Sequence, residues 1–388
     1  MPNYILSNAN RFYAAAESAY GKPAPIGPGN RFQALRLHCH QRVQPSRRRD
    51  KTGARTHLGG ANSARRMSHF ELSTYLTSWD QTTAPAYGPL LQAAMGEAAG
   101  LVSGLIVAAV NGTQIRTQAP HTLSGGSAIA SGGEIRFVTS VGDLSTVNLN
   151  VPFSVAPAAG STLATTFGYR LAAQLPSVSI YDYWDPANAV SRMITGAAVD
   201  KLRIVVKGDT HDLHFSGPAG DVLDSCSAVF GVSGIGTFPP EPALSAFDYS
   251  IVPGQLGQVW LGSPLAQVFT LTSAEAEIKN NLLLRDREFG SAYPRAAVPG
   301  AREVKAHFTL FAQDDAATRN LYAAAKSRTP ISAMLQLGQQ AGQIMAVYLP
   351  VVVPEMPLFE ESQPGQLWEF ANNVAQGVSD DEAFIAFA

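Results

Sequence analysis

Two stretches of this chain alternate apolar and polar residues with a period of two, and both open on the dipeptide His-Phe. In 69–76, Phe70, Leu72, Thr74 and Leu76 fall on one side and His69, Glu71, Ser73 and Tyr75 on the other. In the stretch that starts at His307, the residues Phe308, Leu310 and Ala312 share a face. Successive strand side chains point to opposite faces, so the pattern predicts strands with one buried and one wet face. The surroundings repeat as well. Arg49-Asp50-Lys-Thr-Gly53 is echoed by Arg285-Asp286-Arg-Glu-Phe-Gly290; His69 follows Asp50 by 19 positions and His307 follows Asp286 by 21. Each strand leads into a segment with helical spacing of apolar residues: 85–97, with Tyr87, Leu90, Leu91 and Ala94, and 315–326, with Ala317, Leu321, Ala324 and Ala325. Further on, 201–219 is matched in layout by 345–375. Four features in one order predict a tandem duplication; convergent strand–helix–strand patterning is the alternative.

Between these landmarks the chain is also β-like, with strands expected over 34–40, 177–183, 201–207 and 211–216 and a long loop over 42–68. Residues 104–163 consist of short alternating runs broken by Asn111-Gly112, Gly125-Gly126 and Gly132-Gly133, which predicts a small all-β module inserted into the first repeat. A larger continuous sheet is the alternative there. Residues 229–260 are rich in Gly and Pro and are expected to be a linker. The first 30 residues, with an Ala-rich helix over 11–19 and a Gly/Pro hinge, are expected to be an arm that docks on a neighbouring subunit. The expected organisation is an arm (1–30), a first domain (31–228, with the 104–163 insert), a linker (229–260) and a second domain (261–388), mainly β with one helix per repeat.

Composition narrows the function classes. Charged residues are only 15% of 388, against about a quarter in ordinary globular chains. The formal net charge of −2 excludes a globally basic nucleic-acid binder. Its distribution is uneven: residues 1–100 hold 12 Lys/Arg and 5 Asp/Glu, whereas 329–388 hold 7 acidic residues and no Lys or Arg. Cys39 and Cys226 are too few for a disulfide framework and read as thiols of a protein made in the cytosol. The longest apolar run, 101–110, is far short of the ~20 residues of a spanning helix, and no secretion signal is expected at the N-terminus.

No catalytic constellation stands out. His38 and His40 share a strand face, but a zinc site wants three or four convergent ligands. His211 and His214 would point to opposite faces of a strand. The run Gly231-Val-Ser-Gly-Ile-Gly236 lacks the Gly-x-Ser-x-Gly of a nucleophile elbow, and no P-loop or dinucleotide fingerprint is present. The informative feature is the loop 42–68, with Arg42, Arg47, Arg48, Arg49, Lys51, Arg55, Arg65 and Arg66 against one acid, Asp50. It is a solvated loop, a nucleic-acid contact without aromatic interleaving, or a surface that meets the acidic C-terminal region of another copy. Opposite patches on one chain make a head-to-tail interface that closes into rings or grows into filaments.

On these residues the chain resembles tailed-bacteriophage tail tube (major tail) proteins. The resemblance runs from Ala276 through Asn280-Asn281, Asp286-Arg-Glu-Phe-Gly290, Tyr293-Pro-Arg and the His307-Phe308 strand to Met334-Leu-Gln-Leu-Gly338, Val353-Pro-Glu355, Trp368-Glu-Phe370 and Asp381-Glu382. In the first half it runs from Arg65-Arg66 to Trp79 and over 87–94, 177–184 and 196–217; the 104–163 insert lies outside it. The family implies a β-sandwich or barrel-like fold with a packed helix. It further implies copies that meet edge to edge around a lumen, and rings that stack through a long loop and a terminal arm. Hexameric rings are usual, so a duplicated chain implies homotrimeric pseudo-hexamers, with a plain hexamer as the alternative.

The resemblance implies a non-enzymatic structural protein of the virion tail, assembled in the bacterial host cytoplasm, without cofactor, metal or membrane insertion. Implied partners are further copies, the tape-measure protein, the tail terminator, and double-stranded DNA that passes through the lumen without specific binding. A lumen that gripped phosphates would stall DNA, so inward faces should be polar or acidic, with Glu71, Ser73 and Thr309 as candidates. Contacts between copies are expected from the basic loop residues, Asp286, and the acidic Glu360, Glu361, Asp380, Asp381 and Glu382. Alternatives are another tail ring protein of this fold, distal-tail or terminator, and a β-rich hydrolase.

Overall fold

The computed structural model describes residues 4–45, 51, 53–56, 64–185, 189–227, 237–244, 250–361 and 364–388. Four strands, β1 (Arg11–Ala16), β2 (Arg31–Phe32), β3 (Arg36–Pro45) and β4 (Ala64–Tyr75), precede helix α1 (Gly88–Met95). Then come β5 (Gly96–Val102), β6 (Val107–Asn111), β7 (Gln114–Thr117), β8 (Ala128–Ser131), β9 (Glu134–Asp143), β10 (Thr146–Leu149) and β11 (Thr166–Leu171). The first half ends with β12 (Val178–Tyr183), β13 (Arg192–Ala197), β14 (Lys201–Val206), β15 (His211–Ala219) and β16 (Asp221–Asp224). The second half opens with β17 (Gly257–Gly262), β18 (Ala266–Gln267), β19 (Leu271–Lys279), β20 (Leu283–Leu284), β21 (Ala297–Val298) and β22 (Glu303–Phe311). It continues with α2 (Ala316–Ser327), β23 (Ile331–Leu337), β24 (Met345–Val353), β25 (Leu358–Glu360), β26 (Leu367–Ala375) and β27 (Phe384–Phe387). The fold is mainly β, built on large antiparallel sheets.

Each half has the same two strand orders. In the first, one layer runs β16-β13-β12-β1-β2 and the other β14-β15-β4-β3. In the second, β27-β24-β23-β17-β18 forms one layer, and the end of β24 with β25, followed by β26, β22 and β19, forms the other. The two halves join in this second layer along a seam, β14 beside β19, from Lys201 opposite Lys279 to Val206 opposite Ala274, and join again where β11, paired with β5, runs antiparallel to β27. The alternation expected of β4 and β22 is present: Phe70, Leu72, Thr74 and Leu76, and Phe308 and Leu310, are buried, while His69, Glu71, Ser73 and Tyr75, and His307 and Thr309, are more open; Ala312, expected on the buried face, is past the end of β22 and only half-buried. Their core is shared with Phe12, Ala14 and Phe32 of the facing layer and with Leu90, Leu91 and Ala94 of α1.

Both helices are bounded by local chemistry. Asp315 caps α2, its carboxylate accepting from the Thr318 N–H at 2.7 Å. Helix α1 has Pro89 in its first turn and ends at Gly96, whose φ of 108° and whose approach to Ala172 and Gln174 O, at 2.8 Å from a Cβ built there, exclude a side chain.

Three local expectations need correction. The helix expected over 11–19, in a segment expected to be an arm on a neighbouring subunit, is strand β1, held between β12 and β2 inside a sheet of its own chain. Phe12 and Ala14 face the main core while Tyr13 packs with Tyr181 and Tyr183 on the other side. A strand buried on both faces loses its alternation, and Ala-rich composition then imitates a helix. The loop expected over 42–68 is shorter, because β3 runs to Pro45 and β4 starts at Ala64, paired from Arg42 opposite Met67 to Pro45 opposite Ala64. Cross-strand backbone hydrogen bonds extend this ribbon although its side chains are polar. The strand expected over 34–40 is likewise displaced to Arg36–Pro45.

Within 104–163, strands β6 to β10 form their own five-stranded sheet around Val107, Ile115, Ile129, Val138 and Val147. The sheet rests on the second half. The Ile135 N–H donates to Gln336 Oε1 at 3.1 Å, and Gln336 Nε2 donates to Gly133 O at 3.0 Å. Arg136, 1% exposed, lies 4.5 Å from the Trp260 ring centre and hydrogen-bonds Glu134 at 2.8 Å.

Candidate functional site

The joined sheet buries one face and leaves the other wet, and that wet face gathers much of the chain's charge. Ser73 of β4 stands opposite His214 of β15, His214 opposite Arg203 of β14, Arg203 opposite Glu277 of β19, and Glu277 opposite Lys305 of β22. One row away, Glu71 is followed across the sheet by Ser216, Lys201, Lys279 and Glu303. Thr309 stands between Ser273 and Glu369 on the same face. Glu71, Ser73 and Thr309, singled out separately in the sequence, therefore lie on one continuous surface built by both halves.

Several of its charges are paired with neighbours on the sheet. The Arg203 guanidinium donates twice to Glu275, at 2.6 and 2.5 Å, which raises the pKa of the guanidinium and holds the carboxyl below its ordinary range. Lys201 meets Glu277 at 2.7 Å, Lys207 meets Asp212 at 3.3 Å, and Lys305 meets Glu303 at 3.4 Å. Half-exposed pairs like these contribute little stability each. Their effect is on the field, because each of these four cations is matched by a nearby carboxylate. Burial, with Arg203 nearby, pushes the His214 imidazole down, and Ser73 Oγ lies 2.8 Å from its Nδ1. The charged positions of β14 and β19 are not among the candidates drawn from the sequence; the alternation of charged with apolar residues at 201–203 and 275–279 is the signal that marks them.

The basic hairpin meets the other half of the same chain. The Arg66 N–H donates to Ala292 O at 2.9 Å, its guanidinium lies 5.8 Å over the Tyr293 ring, and Arg65 donates to the backbone oxygen of Asp286 at 3.3 Å. Arg42 is exposed on β3, and Lys51 and Arg55 are exposed in the connection. Arg47, Arg48 and Arg49 lie outside the described residues, as does 231–236. Among the acidic candidates, Glu360 and Glu361 are exposed at and just after β25. Asp380 and Glu382 are engaged by Arg302, at 2.8 and 3.5 Å, and Asp381 accepts from the Val378 and Ser379 N–H groups. These three serve the chain's own C-terminal turn.

Both outer edges of the wet sheet are open: among the described residues, β3 pairs only with β4 and β25 only with β26. His38 and His40 lie on the wet face, while Cys39 turns inward, where burial pushes its thiol up to about 11. No cluster of three His, Cys, Asp or Glu among the described residues could hold a metal. A cavity of ≈ 590 Å³ beside α2 is lined by Leu261, Val268, Leu310 and Leu321, and its only carboxylate, Asp315, caps the helix. No described helix is long and apolar enough to cross a membrane.

No curated protein matches this chain. A family model for phage tail tube proteins matches residues 7–374, nearly the whole chain.

Proposed function

Because the chain belongs to the phage tail tube protein family, and is thus a structural component of the virion tail, we propose that its copies form stacked rings whose lumen conducts DNA during ejection. The observation that carries this reading is the repeated strand order. Two equivalent four-stranded layers stand side by side in one sheet, joined through β14 and β19. A chain with two equivalent wall segments fills two positions of a ring, so three chains make a pseudo-hexamer. The wet face, with Glu71, Ser73 and Thr309, lines the lumen, and its ion pairs let DNA slide by occupying cations that would otherwise neutralise phosphates. Tape-measure and terminator proteins would meet the lumen and the tube end. Negative-stain microscopy and native mass spectrometry of the purified protein test this, with tubes or rings of uniform diameter and three chains per ring expected. Monomers under all assembly conditions would count against the tube, and six chains per ring against the pseudo-hexamer.

A further inference from the structure

The chain contains a worked example of how its own edges meet. In the seam between the halves, β14 lies beside β19. The repeated topology assigns each of these a counterpart that is an open edge: β25 holds the place of β14, and β3 that of β19. The registers make the match residue by residue. Leu202 stands opposite Phe215, which faces Leu72; Phe359 stands opposite Trp368, which faces Leu310. Ile278 stands opposite Val304 and Val43 opposite Arg66, one residue level in each hairpin when Phe308 is matched to Phe70.

Taking the ring reading as its premise, we infer that β3 of one copy pairs with β25 of the next, in the register of β14 and β19. Two observations support the choice. Leu202 and Ile278 meet in the internal seam and are 0% and 1% exposed, whereas their counterparts Phe359 and Val43 are 50% and 51% exposed. Apolar side chains thus stand open at the positions the seam would cover. The second observation is charge. In the internal seam Arg203 pairs with Glu275 and lies 3.9 Å from Glu277. The counterpart of Arg203 is Glu360, and those of Glu277 and Glu275 are Arg42 and His40. The signs are reversed and the complementarity is kept.

Disulfide trapping tests the register. In a Cys39→Ser, Cys226→Ser background, Val43→Cys with Phe359→Cys should give covalent dimers and trimers on oxidation. The two positions sit at opposite ends of an eight-strand order, roughly 30 Å apart at the usual strand spacing, so the bond forms only between copies. Arg42→Glu should abolish rings, and Arg42→Glu with Glu360→Arg should restore them, both with an unchanged melting curve. Rings without the disulfide, or without rescue by the charge swap, would overturn the seam and leave the tube standing. If the unsubstituted protein forms no rings, both readings fall.

Discussion

At the scale of single residues, the chain places titratable groups where folding controls their charge. His211 is buried on the core side of β15, and burial pushes its imidazole below the ordinary 6.5. The folded state therefore favours the neutral ring, and below about pH 6.5 the unfolded chain binds more protons. Stability contributed by the neutral ring is present above that pH and is lost as pH falls, with a slope of at most about 1.4 kcal/mol per pH unit for one proton. Melting temperature should drop between about pH 7 and pH 5, and His211→Gln should flatten that dependence; an unchanged slope would exclude His211 as its source. The histidine pair illustrates what sequence spacing can show: strand geometry predicts opposite faces for His211 and His214, and they occupy opposite faces. That His211 is buried while His214 meets Ser73, 141 positions away, depends on distant pairing that spacing does not encode.

At the scale of elements, the β3–β4 hairpin carries the most weight. Its stem is an ordered ribbon, and its basic residues flank an open sheet edge. Replacement of Arg47, Arg48 and Arg49 by Glu should prevent assembly in negative-stain images, with an unchanged circular dichroism melt as the check that the fold is kept. Tubes that still grow normally would make the charge split of the chain incidental. The helices α1 and α2 are legible from their apolar stripes, although in α2 the expected Ala317 is exposed and Thr318 is buried in its place, and β4 and β22 are legible from strict alternation, because each has one wet face. Strand β1 was not legible, since both of its faces are covered. The open edge of β25 was also hidden, because a strand of 3 residues is too short to show a period.

At the scale of the whole molecule, the seam between β14 and β19 makes one sheet of two halves. Residues from both contribute to one core, including Leu202 and Ile204 from the first and Ala276 and Ile278 from the second. Calorimetry should therefore show a single cooperative transition; two separable transitions would mean that the seam contributes little to coupling. The small sheet of β6 to β10 should melt with the body as well, since Arg136 is enclosed between it and Trp260.

The sequence by itself determined the β class, the repeated order of strand and helix, and the residues that alternate between core and water, because these depend on local periodicity. It also carried the family resemblance. Only the tertiary structure decided that the two halves share a sheet, that Glu71, Ser73 and Thr309 fall on one face, and that the acids at 380–382 are spent within the chain. Those outcomes depend on pairing between segments far apart in the chain, where register is set by packing and by backbone hydrogen bonds across the seam, neither of which leaves a period in the sequence.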